Sequence, residues 1–143
     1  MLILEVNIEP IPQQSARFIR FGNKIRSFQP QKVVDYKKEV RKQILAQLPK
    51  DFKLYRNTLS VGVDYMLKTV TALRKKELEF IQNGGIFYRG QRPDIDNLTK
   101  ALFDCLTGIV WNDDAQVADY HARKYYSKED GKIIISIEEL LCS

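Results

Sequence analysis

The chain has 143 residues, 44% of them hydrophobic and 29% charged, with a formal net charge of +5 and a pI near 9.2. That length supports one core and excludes two independent ones. No apolar run approaches a membrane span, and the two cysteines, Cys105 and Cys142, lack metal-ligand spacing. The basic balance favours an anionic partner, of which nucleic acid is the commonest. It gains force because many of the acidic residues lie in one segment, which leaves the rest of the chain more basic than its average.

Leu2 to Ile8 alternates in part as a strand does, and Pro10 and Pro12 stop it. Arg17–Phe21 and Ile25–Phe28 flank Gly22-Asn23, the signature of a hairpin turn or of an irregular basic loop. Gln31 to Leu48 reads as a helix with Val33, Tyr36, Val40, Ile44 and Leu48 on one stripe, ended by Pro49. Lys37, Lys38, Arg41 and Lys42 fall on its other faces and are expected in solvent. Leu59 to Leu67 places Leu59, Val61, Val63, Tyr65 and Leu67 on one side of a strand. Ala72 to Gln82 predicts a short helix ended by Gly84-Gly85. Pro93 suits the approach to a helix over Ile95–Ile109, whose apolar face is Leu98, Ala101, Leu102, Cys105 and Ile109. Two further strands are predicted, Ala115–Tyr126 and Lys132–Ile137. The irregular order of strands and helices indicates an α+β fold, one domain over residues 1–143, with a mainly antiparallel sheet packed against helices. Cys105 is expected to be buried, and Cys142 near a frayed end. The N-terminus has neither a basic leader nor a cleavage site, so the expected compartment is the cytoplasm, with free thiols.

The most informative segment runs from Arg92 to Asp114. It gathers Asp94, Asp96, Asp104, Asp113 and Asp114 around Lys100 in an otherwise basic chain. Aspartate oxygens suit a hard divalent cation, Mg²⁺ or Mn²⁺, and no His or Cys cluster is present for zinc. An EF-hand is excluded, because Leu98 and Thr99 stand where a middle ligand and the obligatory glycine belong. A hard cation with a nearby lysine suits phosphodiester hydrolysis. Each piece also has a structural reading. Asp94 or Asp96 serves equally well as a helix N-cap. Asp96, Lys100 and Asp104 form an i,i+4 ladder, and Asp113-Asp114 is a common turn. A shared ion requires Asp94, Asp96 and Asp114 to converge. A helix of about 14 residues spans roughly 20 Å, so its far end returns only if the next strand runs back alongside.

At these residues the sequence resembles the RusA-like Holliday-junction resolvases. The family core appears as Pro93-Asp94-Ile95-Asp96-Asn97-Leu98-Thr99-Lys100, then Asp104-Cys105-Leu106, then Asp113-Asp114-Ala115-Gln116-Val117. A looser match covers Pro10-Ile11-Pro12, Arg17-Phe18 and Gly22-Asn23-Lys24, with Ser15-Ala16 departing from the family's usual Arg-Pro. The resemblance implies a homodimeric, Mg²⁺-dependent endonuclease, Mn²⁺ substituting, that resolves four-way DNA junctions by paired symmetrical nicks in recombination and repair. It implies catalytic and metal-binding roles for Asp94, Asp96 and Asp114, a further metal contact at Asp113, and assistance from Lys100. It implies no small-molecule cofactor and no membrane.

Phosphate contacts are expected from Arg17, Arg20, Lys24 and Arg26 and from Arg89 and Arg92, which flank the acidic segment. Phe18 and Phe28 are expected in the core, with stacking on unpaired bases as the competing role. Phe87 and Tyr88 suit either a wedge or an anchored loop. His121 suits a structural or DNA-contacting role, and Trp111 the core. Two other functions compete: a nuclease of flaps and forks, and a non-catalytic DNA-binding protein.

Overall fold

The computed structural model describes residues 1–14 and 17–141, with Arg17 placed by its backbone alone. In chain order the elements are β1 (Leu2–Val6), β2 (Arg17–Phe21), β3 (Lys24–Phe28), α1 (Gln31–Gln47), β4 (Leu59–Leu67), α2 (Lys75–Gln82), α3 (Ile95–Leu106), a 3-10 turn (Asp114–Gln116), β5 (Val117–Tyr126) and β6 (Lys132–Glu139).

The main sheet has the order β1-β6-β4-β5. Its β1–β6 and β6–β4 pairs are antiparallel, and β4–β5 is parallel. The fold is therefore α+β with a mainly antiparallel sheet. Strand alternation drives the layering. Leu59, Val61, Val63, Tyr65 and Leu67 of β4 point inward, beside Ile133, Ile135 and Ile137 of β6 and Leu4 and Val6 of β1. Helices α1 and α3 close over this face with Tyr36, Val40 and Ile44 from one and Leu98, Ala101, Leu102, Cys105 and Leu106 from the other. Cys105 and Trp111 are fully buried, as expected of them; Cys142 lies outside the described residues. Asp64 on the opposite face accepts from Arg123 Nε (3.0 Å) and Nη2 (2.7 Å) and from the Tyr125 hydroxyl (2.8 Å).

Several expectations need correction. Helix α2 starts at Lys75 rather than Ala72, because Glu77 accepts the Arg74 amide and fixes the first turn there. Helix α3 ends at Leu106, and Ile109 lies beyond it. Gly108 takes φ of +87°, a left-handed conformation that suits glycine and turns the chain away. Lys37 is not solvated. It is buried and pairs with Asp104 across α1 and α3 at 2.7 Å, while Arg41 donates to the Asp104 carbonyl at 3.4 Å. Phe18 and Phe28 do not enter the core. They stand on the separate β2–β3 hairpin, 71% and 41% exposed.

Candidate active site

Helix α3 carries the acidic motif, and three structures hold it in place. Beneath it, the hydroxyls of Tyr65, Thr99 and Tyr120 meet. Thr99 Oγ1 lies 2.6 Å from Tyr120 and 3.1 Å from Tyr65. The two tyrosines come from adjacent strands, so the trio fixes how α3 is rotated on the sheet. Burial pushes the ordinary value of both phenols up, which keeps them neutral as donors. At its C-terminal end, the Trp111 indole N–H donates to Thr107 Oγ1 (3.0 Å) and Asp114 Oδ1 (3.1 Å), and the Thr107 hydroxyl also touches Asp114. At its N-terminal end, Lys124 of β5 reaches up to donate to the carbonyls of Gln91 (2.5 Å) and Pro93 (2.7 Å). Burial, then the neighbouring Arg89 guanidinium, pushes the Lys124 ammonium below its ordinary value, with Asp94 pulling it partly back. The Arg92–Pro93 peptide in this approach is cis.

A cleft opens at the N-terminal end of α3. Gln13, Gln14, Arg92, Asp94, Asn97 and Lys100 line it. The Gln13 amide donates to the Asn97 carbonyl at 2.9 Å, which seats the 12–14 segment against the helix. Asp94 occupies the N-cap position, yet its side chain makes no capping bond. Asp96 follows in the first turn, exposed like Asp94. No ion pair among the described residues includes Asp94, Asp96 or Lys100. The i,i+4 ladder therefore does not form, since Asp104 turns to Lys37 instead. Gln13, which lines the cleft with Asp94 and Lys100, has its Oε1 buried without a partner, whereas Asp96 is not among the residues lining the cleft. Two unengaged carboxylates and an amide oxygen are hard donors of the kind magnesium or manganese takes.

The other acidic residues lie elsewhere. Asp113 accepts the Ala115 amide at 2.9 Å and caps the 3-10 turn. Asp114 sits against Thr107, at the opposite end of α3 from Asp94. At 1.5 Å per residue that is a separation of about 20 Å. Among the described residues, no group of three His, Cys, Asp or Glu side chains gathers closely enough to hold a metal ion. The expected convergence of Asp94, Asp96 and Asp114 does not occur within one chain. Strand β5 does run back along α3, but Asp114 precedes it. What the strand returns to the helix N-terminus is Lys124.

Arg89 and Arg92 stand beside the cleft, joined by a bond from the Arg89 guanidinium to the Arg92 carbonyl at 2.8 Å. Arg20, Lys24 and Arg26 project from the hairpin, and the side chain of Arg17 lies outside the described residues. The loop holding Phe87 and Tyr88 is anchored. Tyr126 donates to the Phe87 carbonyl (3.1 Å), Arg89 donates to that of Lys124 (3.1 Å), and Phe87 packs on Phe80 and Tyr126. His121 is exposed next to Asp119, 3.9 Å away. Lys124 is the residue that sequence reasoning missed. Its signal was its place among the inward positions Tyr120, Ala122 and Tyr126, where a lysine needs a polar partner.

No helix among the described residues is long and apolar enough to cross a membrane. Over 51 residues the chain is 45% identical to the crossover junction endodeoxyribonuclease RusA of Escherichia coli strain K12, a match covering 35% of this chain and 42% of that protein. The crossover junction endodeoxyribonuclease of Enterobacteria phage 82 matches to the same extent, 45% over 51 residues, covering 35% and 42%. An uncharacterized protein, YqaN, of Bacillus subtilis strain 168 is 31% identical over 90 residues, covering 63% of this chain and 56% of that one. The chain thus spans about half the length of the curated relatives it matches. The family model described as endodeoxyribonuclease RusA matches residues 7–138, which takes in the cleft, the hairpin and the whole of α3, and the chain belongs to that family.

Proposed function

We propose that this chain is a divalent-metal-dependent endonuclease of branched DNA, with the four-way junction as its principal substrate and recombination and repair as its setting. The observation that carries this reading is Asp94. It stands at a helix N-cap with its carboxylate left free, one turn from Asn97 and two from Lys100, in a cleft walled by Arg92. A carboxylate whose task was to cap the helix would have bonded the first-turn amides.

In this reading Asp94 and Asp96 would hold Mg²⁺, or Mn²⁺ in its place, at the cleft that Gln13 also lines. When bound, the ion supplies Lewis-acid charge at the scissile phosphate. Lys100 and Arg92 neutralise the non-bridging oxygens as negative charge builds in the transition state. The α3 N-terminus adds its own partial positive charge to the same point. Lys124 keeps the 91–93 approach fixed, so that Asp94 keeps its aim. Magnesium commonly takes only one or two protein carboxylates, the rest of its shell being water and phosphate. Asp114, about 20 Å from Asp94 in its own chain, joins the ion from a second copy. Asp113 orients Asp114 through the 3-10 turn. A homodimer built this way presents two sites and makes two symmetrical nicks. Arg17, Arg20, Lys24, Arg26, Arg89 and Arg92 hold the DNA backbone.

The test uses one synthetic four-way junction, a flap and a linear duplex. Asp96→Asn is expected to retain junction binding in gel shift and to lose nicking with either metal. Full nicking by that variant sinks the assignment, and equal cleavage of all three substrates sinks the preference for junctions.

A further inference from the structure

The β2–β3 hairpin has a chemistry that the cleft does not explain. Among the described residues its two strands pair with each other and not with the main sheet. A lone two-stranded hairpin is marginal in water, yet this one exposes large apolar groups. Phe18, Phe21 and Ile25 are 71%, 61% and 70% exposed. Strand alternation puts them on both faces. Ile19, Phe21 and Phe28 share one face with Lys24 and Arg26, and Phe18 and Ile25 share the other with Arg20. An arm built to lie on a protein surface is apolar on one face. One that is apolar on both, with cations interleaved, is built to enter between two apolar layers. The tip is a two-residue turn in which Gly22 takes φ of +58° while Asn23 stays negative, the pattern of a tight II′ hairpin.

The charge identifies the partner. No carboxylate occurs between Glu9 and Asp35, whereas Arg17, Arg20, Lys24 and Arg26 all lie in that interval. Two such arms from two copies would repel. A polyanion with flat apolar layers is nucleic acid with unstacked bases. The root of the arm also stands near the cleft. Gln14 lines the cleft and Arg17 opens β2, so at most about 11 Å of chain separates them. Five residues of strand add about 17 Å, which keeps the tip within one turn of duplex from the scissile phosphate.

We infer that the hairpin is an intercalating arm that places Phe18 and Phe21 against unpaired bases at the branch of a DNA substrate, while its cations hold the adjoining phosphates. The inference rests on the proposed function. It adds what distinguishes branched from linear DNA: bases at a branch are open to an arm, whereas those in a duplex must first be unstacked.

The experiment uses the full chain without divalent metal, so that binding is read apart from cleavage. Junctions carry 2-aminopurine at the crossover or ten base pairs down one arm. The wild type is expected to change the crossover fluorescence and leave the distal probe unaltered. Phe18→Ala with Phe21→Ala is expected to abolish that change and weaken junction binding by about five- to 150-fold per ring, with duplex binding kept. Phe18→Tyr with Phe21→Tyr is expected to restore both. Arg20→Gln and Lys24→Gln are expected to weaken all DNAs alike and to lower the salt dependence by about one unit each. Both rings are exposed, so thermal unfolding is expected to be unchanged. Junction binding and crossover fluorescence that survive the double alanine variant overturn the arm while leaving the endonuclease reading intact. Loss of the dimer in sedimentation velocity overturns it in favour of a protein partner. A wild type that binds no branched DNA overturns both readings.

Discussion

Asp114 and Asp96 cannot serve one ion within a single copy, and subunit mixing tests whether they serve it across two. Asp94 heads α3 and Thr107, which touches Asp114, ends it, about 20 Å apart, whereas magnesium binds oxygen at about 2.1 Å. Asp96→Asn and Asp114→Asn are each expected to be inactive. The second keeps an amide oxygen able to accept from Trp111 and Thr107, so the end of α3 stays locked. When the two variants exchange subunits at random, about half of the dimers are mixed. In each mixed dimer one site carries both substitutions and the other carries neither. Nicking is then expected to return to about a quarter of the wild-type rate, as single nicks rather than paired cuts. Native mass spectrometry counts the mixed dimers, and a nicked-junction gel counts the product. A preparation shown to be half mixed and still inactive refutes the shared site. Full activity in Asp114→Asn alone removes this residue from the chemistry altogether.

Lys124→Met keeps the stem of the side chain and removes the ammonium from the Gln91 and Pro93 carbonyls. Charged hydrogen bonds contribute about 1.5–3 kcal/mol each, less with partial solvent access, so a loss of about 1–3 kcal/mol in urea unfolding is expected. Turnover is expected to fall while junction affinity holds, because the approach to Asp94 loosens and the phosphate contacts remain. Unchanged turnover with reduced stability would limit Lys124 to the fold. Cys105 gives a pH signature. Burial pushes its thiol from 9.0 up to about 11. The folded state therefore binds its proton more tightly than the unfolded chain does. The stability this provides is complete below pH 9 and falls by about 3 kcal/mol between pH 9 and 11. Cys105→Ala is expected to flatten that decline in urea melts at pH 8, 9.5 and 11, and a parallel decline in both proteins would refute the assignment.

Periodicity in the sequence located most of the core. Strand β4 has the predicted bounds, and α1 differs by one residue, because in both the apolar pattern faces a single buried layer. The hairpin defeated the same logic. Phe18 and Phe28 look like core residues by type, and nothing in five-residue strands tells an arm from a half-buried pair. Lys37 was legible in principle. It lies four residues after Val33 and three before Val40, inside the buried stripe, where a lysine must find a carboxylate such as Asp104. The cleft residues Asp94, Asn97 and Lys100 were readable in part, since each is the i,i+3 neighbour of the one before it over nearly two turns of helix. The position of Asp114 was not. It depends on where β5 starts to run back, and that is set by Gly108, Trp111 and the 3-10 turn rather than by any repeating pattern.

The parallel pairing of β4 with β5 has a cost in time. These strands are neighbours in space, yet residues 68–116 separate them in sequence, and α2 and α3 lie inside that connection. A contact of such high order forms slowly, because the loop must close before the pairing repays it. Lys124 and Tyr120, which aim and seat α3, arrive only with β5. The proposed site is thus assembled only with the late pairing of β5, and a nascent chain halted before residue 117 carries the acidic motif without the residues that seat and aim it.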